Sequence, residues 1–176
     1  MFEIPLFSTK CSDWENKKND LLLLSHKFDY NQEQYSDFYN QTENYNYNEK
    51  IDKLFSQEIS YFKNIINIKS HKIVRSWFEK SLTNNFHSIH NHGPLGYSAV
   101  CYIKYNKEKH KPLIFTSPFF GFLDGFTLQY VPNFVEEGTI IFFPSSINHY
   151  VLPNSSDEER MVISFNLQLK REYIKP

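Results

Sequence analysis

The sequence predicts a mainly β chain, built as a two-sheet jelly roll behind two N-terminal helices. Three observations carry that reading. Eight short runs rich in Ile, Val, Phe and Tyr follow one another between residues 72 and 170. Between them stand turn segments such as Asn-His-Gly-Pro, Asn-Lys-Glu-Lys, Glu-Glu-Gly and Pro-Asn-Ser-Ser, too short for helical crossovers, so neighbouring strands are antiparallel. Apolar residues at helical spacing, finally, are confined to the first 71 residues.

Taken in order, Phe2 to Phe7 alternates enough for an edge strand, and Asp13 stands where a cap would start a helix running to about Lys27, with Leu21, Leu22 and Leu24 inward. Residues 29 to 49 are polar and aromatic without an apolar period and read as a long surface loop. Ile51, Leu54, Phe55, Ile59, Phe62, Ile65 and Ile66 recur at three- and four-residue steps, an amphipathic helix whose aromatic stripe packs on the sheet as core. The strands then fall at Ile73 to Phe78, Phe86 to His92, Tyr97 to Tyr105, Pro112 to Thr116, Thr127 to Val131, Thr139 to Phe143, Ile147 to Leu152 and Arg160 to Leu169. Eight strands closing on themselves form a jelly roll. One domain over 1–176 follows, with a helical and loop part over 1–71 and the jelly-roll core over 72–170.

Composition narrows the function. Lys plus Arg (19) nearly balances Asp plus Glu (20), so no nucleic-acid partner is expected. No apolar run reaches membrane length and the first residues lack a signal-peptide pattern, which points to the cytosol, or to the host cytosol if the gene is a phage's. Cys11 and Cys101 are far apart in sequence and outside any Cys-x-x-Cys pair, as reduced thiols would be.

The chemistry concentrates between His90 and Ser164. In a strand, residues two apart share a face, so His90 and His92 project together while Asn91 points away. His149 follows the apolar run Ile140 to Phe143 across a Pro-Ser-Ser turn, where a strand of the opposite sheet can bring a third imidazole to one metal. Arg160, Val162, Ser164 and Asn166 share a strand face, so Arg160 and Ser164 can grip a carboxylate by a fork of N–H donors and a hydroxyl. His87 has the parity that points away from His90 and reads as surface or as a neighbour of the ligands. His26, His71 and His110 read as solvated. The loop Phe119-Phe-Gly-Phe-Leu-Asp124-Gly-Phe either covers the pocket mouth or packs on the outer sheet, and Asp124 is a weak carboxylate candidate for the metal.

The stretches Arg75-Ser-Trp77, Asn85-Phe-His-Ser-Ile-His90-Asn-His92, Tyr97-Ser-Ala-Val-Cys-Tyr102-Ile, Glu137-Gly-Thr-Ile-Ile-Phe-Phe-Pro144-Ser-Ser-Ile-Asn-His149-Tyr-Val-Leu-Pro-Asn154 and Glu159-Arg160-Met-Val-Ile-Ser164-Phe-Asn166 together resemble the 2-oxoglutarate and Fe(II) dependent oxygenases common in marine phage and bacterial genomes. The resemblance covers roughly residues 72 to 170. It implies a double-stranded β-helix (the cupin-like jelly roll), with Fe(II) on His90, His92 and His149. The far carboxylate of 2-oxoglutarate falls to Arg160, with Ser164 assisting and Tyr102 as a further contact. The implied reaction is an O2-dependent hydroxylation of a small-molecule or peptide substrate.

One departure stands out. Most of the wider superfamily has His-x-Asp or His-x-Glu where this chain has His90-x-His92, so the protein ligands are three neutral imidazoles and the centre is one charge unit more positive. Three histidines also suit zinc. Gly138-x5-Pro144-x4-His149 resembles the second cupin motif besides, which leaves open a cupin-type dioxygenase or isomerase independent of 2-oxoglutarate, and a non-catalytic metal-binding jelly roll.

Overall fold

Strand β9 (Arg160–Lys170) explains the architecture, because its first residues are buried on both faces. Met161, Ile163, Phe165 and Leu167 belong to one core and Val162 to another, so the sheet containing β9 must be covered on both sides. The computed structural model describes residues 5–26, 35–38 and 47–170. Among these, β1 (Phe7–Lys10), β2 (Ser70–Ser81), β4 (Tyr97–Lys104) and β7 (Thr139–Pro144) join β9 in a five-stranded sheet of order β1-β7-β4-β9-β2. A second sheet of order β3-β8-β5-β6 is formed by β3 (His87–His90), β5 (Ile114–Phe120), β6 (Thr127–Tyr130) and β8 (His149–Val151). Every recorded pairing is antiparallel, and the two sheets face each other as a double-stranded β-helix.

All eight expected strands are present, with ends shifted by a few residues. Of the N-terminal strand expected over 2–7, residues 2–4 lie outside the described part and 5–6 are in no strand; residues 7–10 pair with β7, Phe7 standing opposite Phe142.

The outer face of the five-stranded sheet is packed by helices. In α1 (Trp14–Ser25), Leu21 and Leu24 are buried and Leu22 lies against the core, as their spacing predicts. Asp13 holds the cap position with φ 49°, but its carboxylate takes the side-chain amide of Asn16 and no backbone N–H. The long amphipathic helix expected over 51–66 is instead two consecutive helices, α2 (Asn48–Leu54) and α3 (Ser56–Ile65), broken at Phe55. Both halves still present Ile51, Phe55, Ile59 and Phe62 to the sheet, where Phe62 stacks on Phe142 at 4.5 Å and Phe55 on Phe165 at 5.6 Å. Ile65, expected inward, is exposed at the end of α3.

The expected polar surface loop is partly anchored. Of residues 29–49, 29–34 and 39–46 lie outside the described part, yet Ser36 bridges Glu79, Asp37 is buried and accepts the Phe78 N–H at 2.8 Å, and Tyr47 packs on Phe78.

Gly138, at φ 76°, closes the turn into β7; a Cβ there would meet the Trp14 ring at 2.8 Å. Cys11 and Cys101, distant in sequence, meet across the helix–sheet boundary with their sulfurs 3.7 Å apart, both buried and free. Burial and the neighbouring Cys11 push the Cys101 thiol well above its ordinary value. Among the described residues no helix is long and apolar enough to cross a membrane.

Phe62→Ala should cost about 3–5 kcal/mol, since a fully buried stacked ring leaves a cavity between helix and sheet; the denaturant midpoint measures it. Native protein should resist a bulky thiol reagent and take up two equivalents once unfolded, as absorbance at the released chromophore would report.

Candidate metal and anion site

Between the sheets, the inner face of the five-stranded sheet changes from hydrocarbon to polar groups. Val100, Tyr102, Ile141, Phe143 and Val162 form an apolar floor with Leu113, Phe115, Ile147 and Val151 of the facing side. His90, His92 and His149 stand at its edge. β3 and β8 pair so that His90 lies opposite His149, and β5 supports His149 through Phe115. His92 lies just past the end of β3, where its backbone N–H donates to the Ser145 carbonyl at 2.8 Å.

One ring nitrogen from each of the three histidines lies within 4.8 Å of the others, the metal-ligand grouping found among the described residues. The Nδ1 of His90 donates to the Ser88 carbonyl at 2.8 Å and that of His149 to the Ile147 carbonyl at 2.9 Å. A carbonyl oxygen only accepts, so in the neutral ring each Nε2 keeps its lone pair. The Nε2 atoms of His92 and His149 are 3.2 Å apart. Two ligands on one ion, each at about 2.1 Å and at about a right angle, are separated by about 3 Å. The donor set therefore fits a divalent transition metal.

Burial lowers all three imidazoles. His149 is pushed down to about 3 by burial and by its neighbour His90, and His92 to about 4 by burial and the His90 and His87 rings. His90 is lowered by burial and the His87 ring, against an opposing pull from the Ser88 carbonyl and Glu79. All three stay neutral near pH 7, the form that binds metal.

Arg160 is the second anchor. Its residue is 1% exposed, and none of its three guanidinium nitrogens has a hydrogen-bond partner. The closest anion, Glu79 Oε1, lies 3.6 Å from Nη1, outside hydrogen-bond range, and the guanidinium carbon sits 5.4 Å from the Tyr102 ring centre. Five N–H bonds buried without acceptors carry a desolvation cost of several kcal/mol, which an incoming carboxylate would offset. Tyr102 is fully buried, and its hydroxyl accepts the Leu113 N–H at 3.0 Å; burial raises it above its ordinary value, against the Arg160 charge. Ser164 lines the narrow cavity beside the histidines and pairs across strands with Val100 and Trp77.

Two neighbours escape sequence reasoning. His87, expected to face away from His90, stacks on it with ring centres 4.0 Å apart. The cause is an irregularity between His87 and His90 that puts two residues of β3, Ser88 and Ile89, against one of β8, Tyr150, cancelling the parity argument. Its Nδ1 is 2.8 Å from Oε2 of Glu79, which is buried on the inner face of β2. Burial pushes the Glu79 carboxyl up, but the His87 hydrogen bond and the His87, Arg160 and His90 charges outweigh it and hold the group below its ordinary value. An acidic residue two positions after Trp77, and so on the same face of β2, was the readable signal.

His110, expected to be solvated, is buried, accepting the Asn106 N–H at Nδ1 and donating from Nε2 to the Glu158 carbonyl. His71 pairs with Asp52 at 2.8 Å, and His26 is exposed as expected. Asp124 is spent in its own turn, accepting the Phe126 N–H, and belongs to no metal grouping among the described residues. The tip of the surrounding hairpin is exposed, Phe122 to 99% and Leu123 to 93%.

The family model described as "Putative 2OG-Fe(II) oxygenase" matches residues 75–166. No curated protein matches the sequence. Among solved structures, the chain is similar to the viral collagen prolyl hydroxylase vCPH of Paramecium Bursaria Chlorella virus-1 (12% identity, 97% of this chain and 96% of that one, TM-score 0.62). It is similar also to the non-heme alpha ketoglutarate dependent epimerase SnoN of nogalamycin biosynthesis (10%, 94% and 78%, TM-score 0.67). A third is a 2OG-Fe(II) oxygenase family oxidoreductase of Burkholderia pseudomallei (16%, 68% of this chain, TM-score 0.52), of whose length the match spans 57%. At these identities the likeness is one of fold.

Between the depressed values and the ordinary 6.5, the unfolded chain binds more protons than the folded one. The stability of metal-free protein should therefore be full above about pH 6.5 and fall as pH drops towards about 4; denaturant midpoints at about pH 7.5 and about pH 5 check the sign.

Proposed function

The chain belongs to the 2OG-Fe(II) oxygenase family, and on that premise we propose that it is a 2-oxoglutarate-dependent hydroxylase with Fe(II) on His90, His92 and His149 and the far carboxylate of 2-oxoglutarate on Arg160. The single observation carrying the co-substrate assignment is the buried Arg160 guanidinium, with three nitrogens lacking a partner on the inner face of the same barrel as the histidines. Fe(II) held by His90, His92 and His149 would supply the oxidation of 2-oxoglutarate by O2 to succinate and CO2, one oxygen atom entering succinate and the other a substrate C–H bond.

The chain's own groups have separable tasks. The Ser88 and Ile147 carbonyls fix the tautomers of His90 and His149 and turn Nε2 toward the cluster. Phe143, Phe115 and Val151 keep bulk water from the imidazoles, which strengthens every charge interaction inside. Arg160 supplies a planar fork of donors, Tyr102 a hydroxyl proton beside it, and Ser164 a hydroxyl on the wall. Three neutral ligands leave the full ionic charge uncompensated, so anion binding at the metal is favoured. The substrate belongs to the small-molecule or peptide class, with O2 as second co-substrate.

Anaerobic titration with Fe(II) and then 2-oxoglutarate should produce a visible charge-transfer band that requires both. Arg160→Ala should keep iron and weaken 2-oxoglutarate by about 100-fold or more, the effect of about 3 kcal/mol lost with a buried charge pair. His149→Ala should lose stoichiometric iron, as metal analysis after desalting would show. A wild type that takes iron and ignores 2-oxoglutarate would transfer the assignment to the co-substrate-independent cupin type.

A further inference from the structure

The polar groups between the histidines and Arg160 form a chain of contacts. His87 stacks on His90 at 4.0 Å, its Nδ1 meets Glu79 Oε2 at 2.8 Å, and Glu79 Oε1 lies 3.6 Å from Arg160 Nη1. On the functional reading above, a 2-oxo diacid would have its keto acid end at the metal and its far carboxylate at the guanidinium, the two ends that this chain of contacts connects. The cavity beside its histidine and Glu79 end, lined by Trp77, Glu79, His87, His92, His149 and Ser164 among others, stops short of Arg160 and holds only about 20 Å³, the room of about one water. A five-carbon diacid cannot enter unless a lining side chain yields. Glu79 is the lining group that shares the diacid's own chemistry: a carboxylate, buried, and beside the cation.

We propose that Glu79 is a specificity-determining residue of the co-substrate pocket, an internal carboxylate that stands near Arg160 in place of the far carboxylate of 2-oxoglutarate and competes with it. The inference rests on the functional reading above. At 3.6 Å Glu79 offsets the Arg160 charge without occupying its donors, so an incoming carboxylate meets open N–H groups on a cation that is already partly neutralised. Two carboxylates at one guanidinium repel, and Glu79 therefore weakens binding of a diacid relative to a mono-acid. Its bond to His87 ties the same carboxylate to the ring stacked on His90, so its displacement changes what supports that ring.

The test uses whole protein loaded with Zn(II), which is redox-inert, titrated calorimetrically with 2-oxoglutarate and with 2-oxopentanoate, which keeps the keto acid end and lacks the far carboxylate. Glu79→Gln retains an acceptor for the His87 N–H and removes the charge. The preference for 2-oxoglutarate over 2-oxopentanoate should rise at least about tenfold in Glu79→Gln, through tighter 2-oxoglutarate binding. Both acids are measured on one sample, so the ratio does not depend on how much variant is folded. A ratio that is unchanged or lower overturns the proposal, including the case in which both affinities shift equally because Glu79 only orients His87. Wild type that binds zinc and neither acid overturns the functional reading and this inference with it, and that result is visible before any variant is made.

Discussion

Burial of β9 on both faces is the constraint from which the rest of the molecule follows. Alternate residues of one strand serve different compartments: Met161, Ile163, Phe165 and Leu167 pack under the helices, while Arg160, Val162, Ser164 and Asn166 turn towards the second sheet. Pairing with β2 on one side and β4 on the other leaves the strand no edge in water. An arginine at its start is consequently held out of solvent, whatever the cost. The outer core, with Phe62 on Phe142 and Phe55 on Phe165, supplies the hydrophobic stabilisation that tolerates a buried charge lacking acceptors.

The histidine cluster depends on the same two-layer construction in a different way. His149 and His90 come together because β8 and β3 are neighbours in the smaller sheet, and His92 is added from the chain just beyond β3. Phe143 of the larger sheet lies against His149 at 4.9 Å, so the floor of one sheet sets the dielectric of a site built on the other. Low dielectric keeps the imidazoles neutral and makes the separation between cluster and guanidinium electrically meaningful. Glu79 and His87 fill that separation, and their carboxylate lessens the positive charge that three neutral ligands would otherwise leave uncompensated once a metal binds.

Much of this was legible in the residues. All eight jelly-roll strands could be located because alternation, β-branched content and turn residues agreed at each. The three metal candidates and Arg160 were legible because their types and their two-residue or strand-face spacing bear directly on ligation. Where the sequence misled, a local irregularity was at work. The break at Phe55 divides a helix whose apolar period runs on unchanged, and the irregularity in β3 cancels the parity that seemed to turn His87 away. His110 looked like a solvated loop histidine because its partners, the Asn106 N–H and Glu158 carbonyl, are backbone groups that have no letter in the sequence.

By itself, then, the sequence determined the β class, the antiparallel order of short strands, the apolar helix stripes and the identities of the three histidines able to bind a metal. These are consequences of side-chain chemistry and short-range period. Tertiary structure alone decided that Cys11 meets Cys101, that Asp37 and Ser36 fasten a polar segment to β2, and that Arg160 is buried with Glu79 as its nearest anion. Each of those facts joins residues tens of positions apart. Distances of that kind are set by how two sheets and three helices close on one another, which no local pattern encodes.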